Sequence, residues 1–160
     1  MHIQPGDRIP EAILQYIDDG VRKIDTVELF ADRKMVLFAV PGAFTPTCSQ
    51  RHLPGFVEHF DAFRERGIEV ACMAVNDPFV MQAWGQSQDV PAGLRMLADG
   101  NADFTRALGM SFDASGYGMG IRSKRFALFA DNGIVRAVWI EAPGEFRVSA
   151  AENVLAQLPA

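Results

Sequence analysis

Cysteine is scarce in this sequence: Cys48 and Cys72 are the two among 160 residues. So small a number excludes a disulfide framework and agrees with a reducing compartment, so a cytoplasmic protein is expected. Long apolar runs are missing as well. No stretch approaches the ~18 apolar residues that a membrane span requires. The opening MHIQPGDRIPEA has no basic segment followed by an apolar one, so neither a membrane anchor nor a secretory leader is expected. Positive charge is in deficit, with 15 Lys and Arg against 20 Asp and Glu and a net charge of −5. Nucleic acid and anionic membranes therefore find no electrostatic hold, and neither is expected as a partner. Repeats, low-complexity stretches and linkers are absent. What is there is a chain 49% hydrophobic, enough for one domain over residues 1–160 whose core needs no metal or disulfide.

Apolar patterning gives the order of elements. Residues 12–17 and 21–25 read as an N-terminal hairpin around the Asp18-Asp19-Gly20 turn, followed by a short helix that Thr26 can cap. Met35 to Val40 and Ile68 to Val75 are apolar runs of the buried-strand type, with helical pattern between them, which makes a βαβ unit. Asp77-Pro78 opens the next helix as N-cap and first helical residue. A strand at 95–98, a helix near 103–108 and the glycine-rich loop SFDASGYGMG follow. A second hairpin, Phe126 to Ala130 and Ile134 to Ile140, turns at Asp131-Asn132-Gly133. Ser149 and Glu152 have capping-box spacing and start the terminal helix. Alternating elements first and antiparallel ones last predict an α/β fold with a mixed central sheet and helices on both faces.

The chemistry concentrates in PGAFTPTC, residues 41–48, where a strand turns into a helix. Thr45 and Pro46 form a helix start, threonine as N-cap and proline at N1. Cys48 then falls at N3, among N–H groups that lack partners and carry partial positive charge, an arrangement that favours thiolate over thiol. The plainer reading is a buried cysteine acting as a small hydrophobe. A dithiol centre of the C-x-x-C kind would need sulfur at position 45, where the chain has Thr45. A cysteine hydrolase or acyl transferase would need a histidine base. His52 lies four residues on, along the same helix face, with no visible Asn or Asp to orient it. A non-catalytic binding module is the third class.

Pro41, Thr45 and Cys48 make the pattern P-x-x-x-T-x-x-C. Together with the wider string PGAFTPTCS, His52-Leu53-Pro54-Gly55, VNDPFV at 75–80 and Arg122-Ser123-Lys124-Arg125-Phe126-Ala127, it resembles the peroxiredoxins, and their peroxiredoxin-5 subfamily in particular, over nearly the whole chain. The resemblance implies a thioredoxin-like fold and the reduction of hydrogen peroxide or alkyl hydroperoxides by a cysteine, with no metal, heme or flavin cofactor. It makes Cys48 the thiolate that becomes sulfenic acid and places Arg125 beside it. Thr45 then orients the peroxide, Pro41 shields the thiolate from water, and the N–H groups of Thr47 and Cys48 hold the departing oxygen. Taken singly, Thr45 could be only a cap, Pro41 only a strand end and Arg125 only a surface charge. Gly116, Gly118 and Gly120 lack the preceding strand and the G-K-[ST] of a phosphate loop. That stretch reads instead as a flexible loop at the pocket mouth, with Met119 and Ile121 as apolar lining.

The best-known members of the subfamily carry a second, resolving cysteine near the C-terminus. Here Ser149 falls at or near that position, and GEFRVS at 144–149 holds no sulfur. Cys72 lies inside an apolar strand, where a thiol is buried and inert. A one-cysteine cycle is therefore expected, with an external reductant: glutathione with glutaredoxin, as in similar proteins, or thioredoxin. Similar proteins also form homodimers through the edge near the active site. Phe44, Phe79 and Trp84 are candidates for that edge, or else core hydrophobes.

Overall fold

A computed structural model describes residues 1–159. β1 (Ile13–Ile17) and β2 (Val21–Asp25) form the expected hairpin. α1 (Thr26–Phe30) follows, but Thr26 is not its cap. Asp25 accepts from the Val27 N–H at 2.7 Å, while the buried Thr26 hydroxyl donates to the Pro10 carbonyl and accepts from the Ala12 N–H. A carboxylate is the better acceptor at a helix N-terminus, so the threonine is left to tie the preceding segment to the helix.

β3 (Lys34–Ala39) and β4 (Ile68–Ala74) pair in parallel, and α2 (Leu53–Glu58) and α3 (Phe60–Glu65) lie between them in the chain. α4 (Pro78–Ser87) starts as expected, with the Asp77 carboxylate accepting from the Val80 N–H at 2.8 Å and Pro78 in the first turn. β5 (Arg95–Ala98) and α5 (Asp103–Ala107) come next. The glycine-rich stretch expected as a loop is instead a small ribbon. β6 (Ser111–Asp113) pairs with β7 (Ile121–Ser123) around a 3-10 turn, and the positive φ of Gly118 and Gly120 lets the chain reverse.

β8 (Phe126–Asp131) and β9 (Ile134–Ile140) make the second hairpin, and α6 (Ala151–Gln157) closes the fold. The capping box expected at α6 does not form. The Ser149 hydroxyl donates to Glu141 at 2.7 Å, and Ala150 stands at the cap position without a side-chain bond.

Seven strands form one sheet in the order β2-β1-β5-β4-β3-β8-β9. Its centre, β5-β4-β3, is parallel and its flanks are antiparallel. This is the mixed, thioredoxin-like sheet with helices on both faces. Period-2 alternation sends Val36, Phe38, Val40, Cys72 and Ala74 to one core with Phe56, Phe63, Trp84 and Val154. It sends Met35, Leu37, Ala39, Ala71 and Met73 to the other with Leu29, Phe30 and Phe104. Trp84, fully buried, is therefore core and not a dimer-edge residue. No helix among the described residues is long and apolar enough to cross a membrane.

Phe56 anchors the first core. It is fully buried, stacked on Phe38 at 4.0 Å between ring centroids and on Phe63 at 5.6 Å. Phe56→Ala should lower unfolding free energy by about 3–5 kcal/mol, measured by urea unfolding; a change within the error of the midpoint would contradict this packing.

Candidate active site

The site is assembled where β3 ends. The Val40 N–H still donates to the Met73 carbonyl, but Pro41 has no N–H and stops the pairing. The chain then turns sharply. An added Cβ on Gly42 would stand 3.0 Å from Nη1 of Arg122, 3.2 Å from Cε of Met119 and 3.2 Å from Cγ2 of Thr45, so a side chain here would have to push these neighbours back by a few tenths of an ångström. The Ala43 N–H donates to Oδ1 of Asn76 at 2.9 Å, and Phe44 takes φ +64°, a left-handed conformation that bulky residues avoid.

Thr45 occupies the N-cap position in the way its sequence suggested, its carbonyl accepting from the Ser49 N–H at 2.9 Å. Its hydroxyl does something else. It donates to the Gly42 carbonyl at 2.7 Å, so it does not cap the N–H groups of the first turn, and its lone pairs stay available to accept. Cys48 opens a π turn, Cys48–His52, in which the Leu53 N–H reaches back to the Cys48 carbonyl. Such one-turn widenings concentrate at functional sites.

Arg125 meets Cys48 across 77 residues of chain: its Nη2 donates to Sγ at 3.2 Å. Sheet register explains the meeting. Ala39 at the end of β3 pairs with Phe126 at the start of β8, so the residue just before β8 arrives beside the residues just after β3. The other arm of the guanidinium, Nη1, donates to Nδ1 of His52 at 2.9 Å, and Nε2 of His52 donates to the Ser149 carbonyl at 3.1 Å. Both ring nitrogens are thus engaged, which fixes a neutral tautomer. Burial, and then the neighbouring Arg125 charge, push the pKa of His52 down to about 3 from its ordinary 6.5, although the bond to Ser149 opposes this. His52 therefore has no lone pair to offer Cys48, and a Cys48–His52 hydrolase dyad is not assembled.

The remaining expected residues fall as follows. Met119 packs over Gly42, and its carbonyl accepts from Nε of Arg122 at 2.9 Å. Ile121 lies on β7, 38% exposed. Thr47 is half-buried in the first helical turn beside Cys48. Cys72 is fully buried, and burial followed by the nearby Cys48 raises its pKa well above the ordinary thiol value. Both cysteines are free thiols. Among the described residues, no group of three or more His, Cys, Asp and Glu side chains could hold a metal ion.

The Redoxin family model matches residues 4–155. Peroxiredoxin-2E-2, chloroplastic, of Oryza sativa subsp. japonica is 50% identical over 163 residues, an alignment that covers 98% of this chain and 72% of the rice protein. The chain belongs to the peroxiredoxin family. Reduced Prx3 of Vibrio vulnificus in complex with hydrogen peroxide superposes with a TM-score of 0.93 at 47% identity, over 96% of this chain and 98% of that one. The antioxidant protein of Plasmodium falciparum, a 1-Cys peroxiredoxin, superposes with a TM-score of 0.90 at 31% identity, over 95% and 96%.

In this peroxiredoxin the sequence brings forward Cys48, Thr45 and Arg125 as candidates but not what fastens them. His52 stood out only as a possible base, because its partners lie 73 and 97 residues away in the chain. Asn76 is visible in VNDPFV without a role; its side chain pins the turn after β3 through the Ala43 N–H. Arg122 was visible beside Arg125, and it bridges Met119 and the Pro41 carbonyl. The Asn-Asp-Pro run was the available signal for Asn76, since Asp77 and Pro78 already served the helix start and left the asparagine unassigned.

Proposed function

We propose that Cys48 is the peroxidatic thiol and that its cycle uses no second cysteine of this chain. One observation carries the first part: Arg125 donates to Sγ of a cysteine seated in the first turn of a helix. The Cys48 thiolate attacks one oxygen of hydrogen peroxide or an alkyl hydroperoxide. An S–O bond forms, the O–O bond breaks, and the leaving oxygen takes a proton to depart as water or alcohol. Sulfur is oxidised to sulfenic acid and the peroxide is reduced. Arg125 offsets the charge on sulfur before attack and on oxygen as it leaves. Thr45, whose hydroxyl proton is committed to Gly42, accepts from the peroxide and orients it. The N–H groups of Thr47 and Cys48 hold the departing oxygen. Pro41 limits water at the sulfur, and Met119 and Ile121 line the mouth.

The burial of Cys72 in β4, between β3 and β5, supports an external reductant. So does the 1-Cys designation of the Plasmodium falciparum relative. A glutathione thiol attacks the sulfenic sulfur, forming a mixed disulfide and releasing water. Glutaredoxin or a second glutathione then returns Cys48 to the thiol. Two free thiols suit a reducing compartment such as the cytoplasm. Homodimerisation fits an edge that bears Phe44, 55% exposed, in the turn after β3, and Phe79, 64% exposed, in the first turn of α4, two segments drawn together by the Ala43–Asn76 bond.

Intact mass after one equivalent of peroxide tests the cycle. We expect one added oxygen on Cys48, then a glutathione adduct on the same residue when glutathione is supplied, and progression to sulfinic and sulfonic acid with excess peroxide and no thiol. A loss of two hydrogens with a linked Cys48–Cys72 peptide would overturn the one-cysteine cycle, and efficient recycling by thioredoxin with none by glutathione would overturn the glutathione route.

A further inference from the structure

Residues 142–149 join β9 to α6 and contain neither strand nor helix, and most of their side chains are exposed. Such a loop has little apolar burial of its own to hold it. Yet its last residue, Ser149, is fully buried, and so is most of Glu141 just before it. Glu141 closes the loop on itself. Its Oε2 accepts from the Arg147 N–H at 2.7 Å, the Ser149 N–H at 2.8 Å and the Ser149 hydroxyl at 2.7 Å. Burial alone would raise the carboxyl's pKa, but these bonds, led by those from Ser149, hold it below its ordinary value. Glu141 is therefore charged at neutral pH, and charge-assisted bonds of this kind are roughly twice as strong as neutral ones.

The loop so held lies against the active site at two points. The Ser149 carbonyl accepts from Nε2 of His52, and the Phe146 ring stands edge-on to the His52 ring with centroids 5.0 Å apart. The same ring lies 4.8 Å from the guanidinium carbon of Arg51 and 5.9 Å from that of Arg125. Glu141 is also fastened to Arg125 directly, since its own N–H donates to the Arg125 carbonyl at 3.0 Å. The bonds form a closed circuit: Arg125 main chain to Glu141, Glu141 to Ser149, Ser149 to His52, and His52 back to the Arg125 side chain that holds Cys48.

We propose that Glu141 is a positioning residue for the peroxidase reaction: its carboxylate folds residues 142–149 into a strap that sets the His52 ring and, through it, the Arg125 guanidinium on the Cys48 sulfur. The assignment rests on Cys48 as the peroxidatic thiol and does not depend on which thiol resolves it. Two consequences separate it from a merely structural role. The first is coupling to Arg125, because a residue that acts through the guanidinium has nothing to act through once it is gone. The second is the state of His52. With the strap fixed, Nε2 carries the proton and the ring stays neutral down to about pH 3. With the strap released, water reaches the ring and its titration moves toward the ordinary range.

Single-turnover peroxide reduction and ¹⁵N NMR of the His52 ring are measured on the full chain for wild type, Glu141→Gln, Arg125→Ala and the double variant, with circular dichroism to confirm folding. Glu141→Gln should slow the peroxide step about tenfold, short of the ~10²-fold that a misplacement of 1 Å can cost. It should move His52 titration upward, and it should slow the Arg125→Ala protein less than about twofold further. A folded Glu141→Gln protein with wild-type rate, or with unchanged His52 signals, would overturn the assignment. So would an effect that multiplies in full with that of Arg125→Ala. If Glu141→Gln does not fold, Ser149→Ala decides: it removes one of the three bonds, and slowing with the same drift of His52 signals supports the strap, whereas wild-type behaviour rejects it. A wild-type protein whose Cys48 does not consume peroxide would instead remove the peroxidatic reading itself.

Discussion

Cys48→Ser should leave no peroxide consumption above that of buffer alone, with the fold intact. A serine hydroxyl is not appreciably ionised near neutral pH, so it gives the peroxide no comparable nucleophile, although Arg125 and Thr45 remain in place. The fold survives because the added polarity meets a donor already present: Arg125 stands 3.2 Å from the replaced sulfur. No other thiol can substitute. Cys72 is fully buried in a central strand, paired opposite Phe38 and Met96, and its raised pKa keeps it a thiol. The check is a peroxide electrode trace together with intact mass. Turnover within tenfold of wild type, or a new oxygen found on Cys72, would mean that β4 opens during the reaction and that the peroxidatic assignment belongs elsewhere.

The reasons why parts of this site were readable in the sequence are local ones. Strand-to-helix junctions, Asp77-Pro78 as a helix start and the Asp131-Asn132-Gly133 turn depend on residues within a few positions of each other, and each forms where expected. Features that failed to follow local rules lost to a partner far away in the chain or to a stronger acceptor nearby. Ser149 has the spacing of a capping box, but the buried carboxylate of Glu141 takes its hydroxyl. Thr26 looks like a cap, yet Asp25 supplies the stronger acceptor. Thr45 sits at the cap position, and its hydroxyl still turns to Gly42, because the tight turn at 42–45 brings that carbonyl within 2.7 Å. The π turn had no sequence signal at all. Arg125 was placed beside Cys48 by family resemblance alone; the β3–β8 register that brings them together cannot be read from either segment by itself. His52 shows the same limit from the other side, since its residue type suggested a base while its two distant partners make it a spacer between Arg125 and the Ser149 carbonyl.

Arg125→Ala should slow the peroxide step on the order of 10²-fold or more, the usual cost of deleting an oriented donor to developing charge. Two contacts vanish together. The sulfur loses its donor at 3.2 Å, and Nδ1 of His52 loses its donor at 2.9 Å. Arg125→Lys tests which of these matters. Lysine restores the positive charge, but a single ammonium cannot reproduce the planar fork that reaches Sγ from Nη2 and Nδ1 from Nη1 at once. If charge alone were sufficient, lysine would recover most of the rate. If the fork is needed, lysine remains closer to alanine, because an ammonium drawn to one acceptor abandons the other and the geometry at sulfur drifts. The geometry favours the second outcome, since the two acceptors are met by different nitrogens of one rigid group. Stopped-flow measurement of peroxide reduction at neutral pH separates the cases. A near-wild-type rate for Arg125→Ala would show that the helix end alone activates Cys48, and it would remove the guanidinium from the reaction.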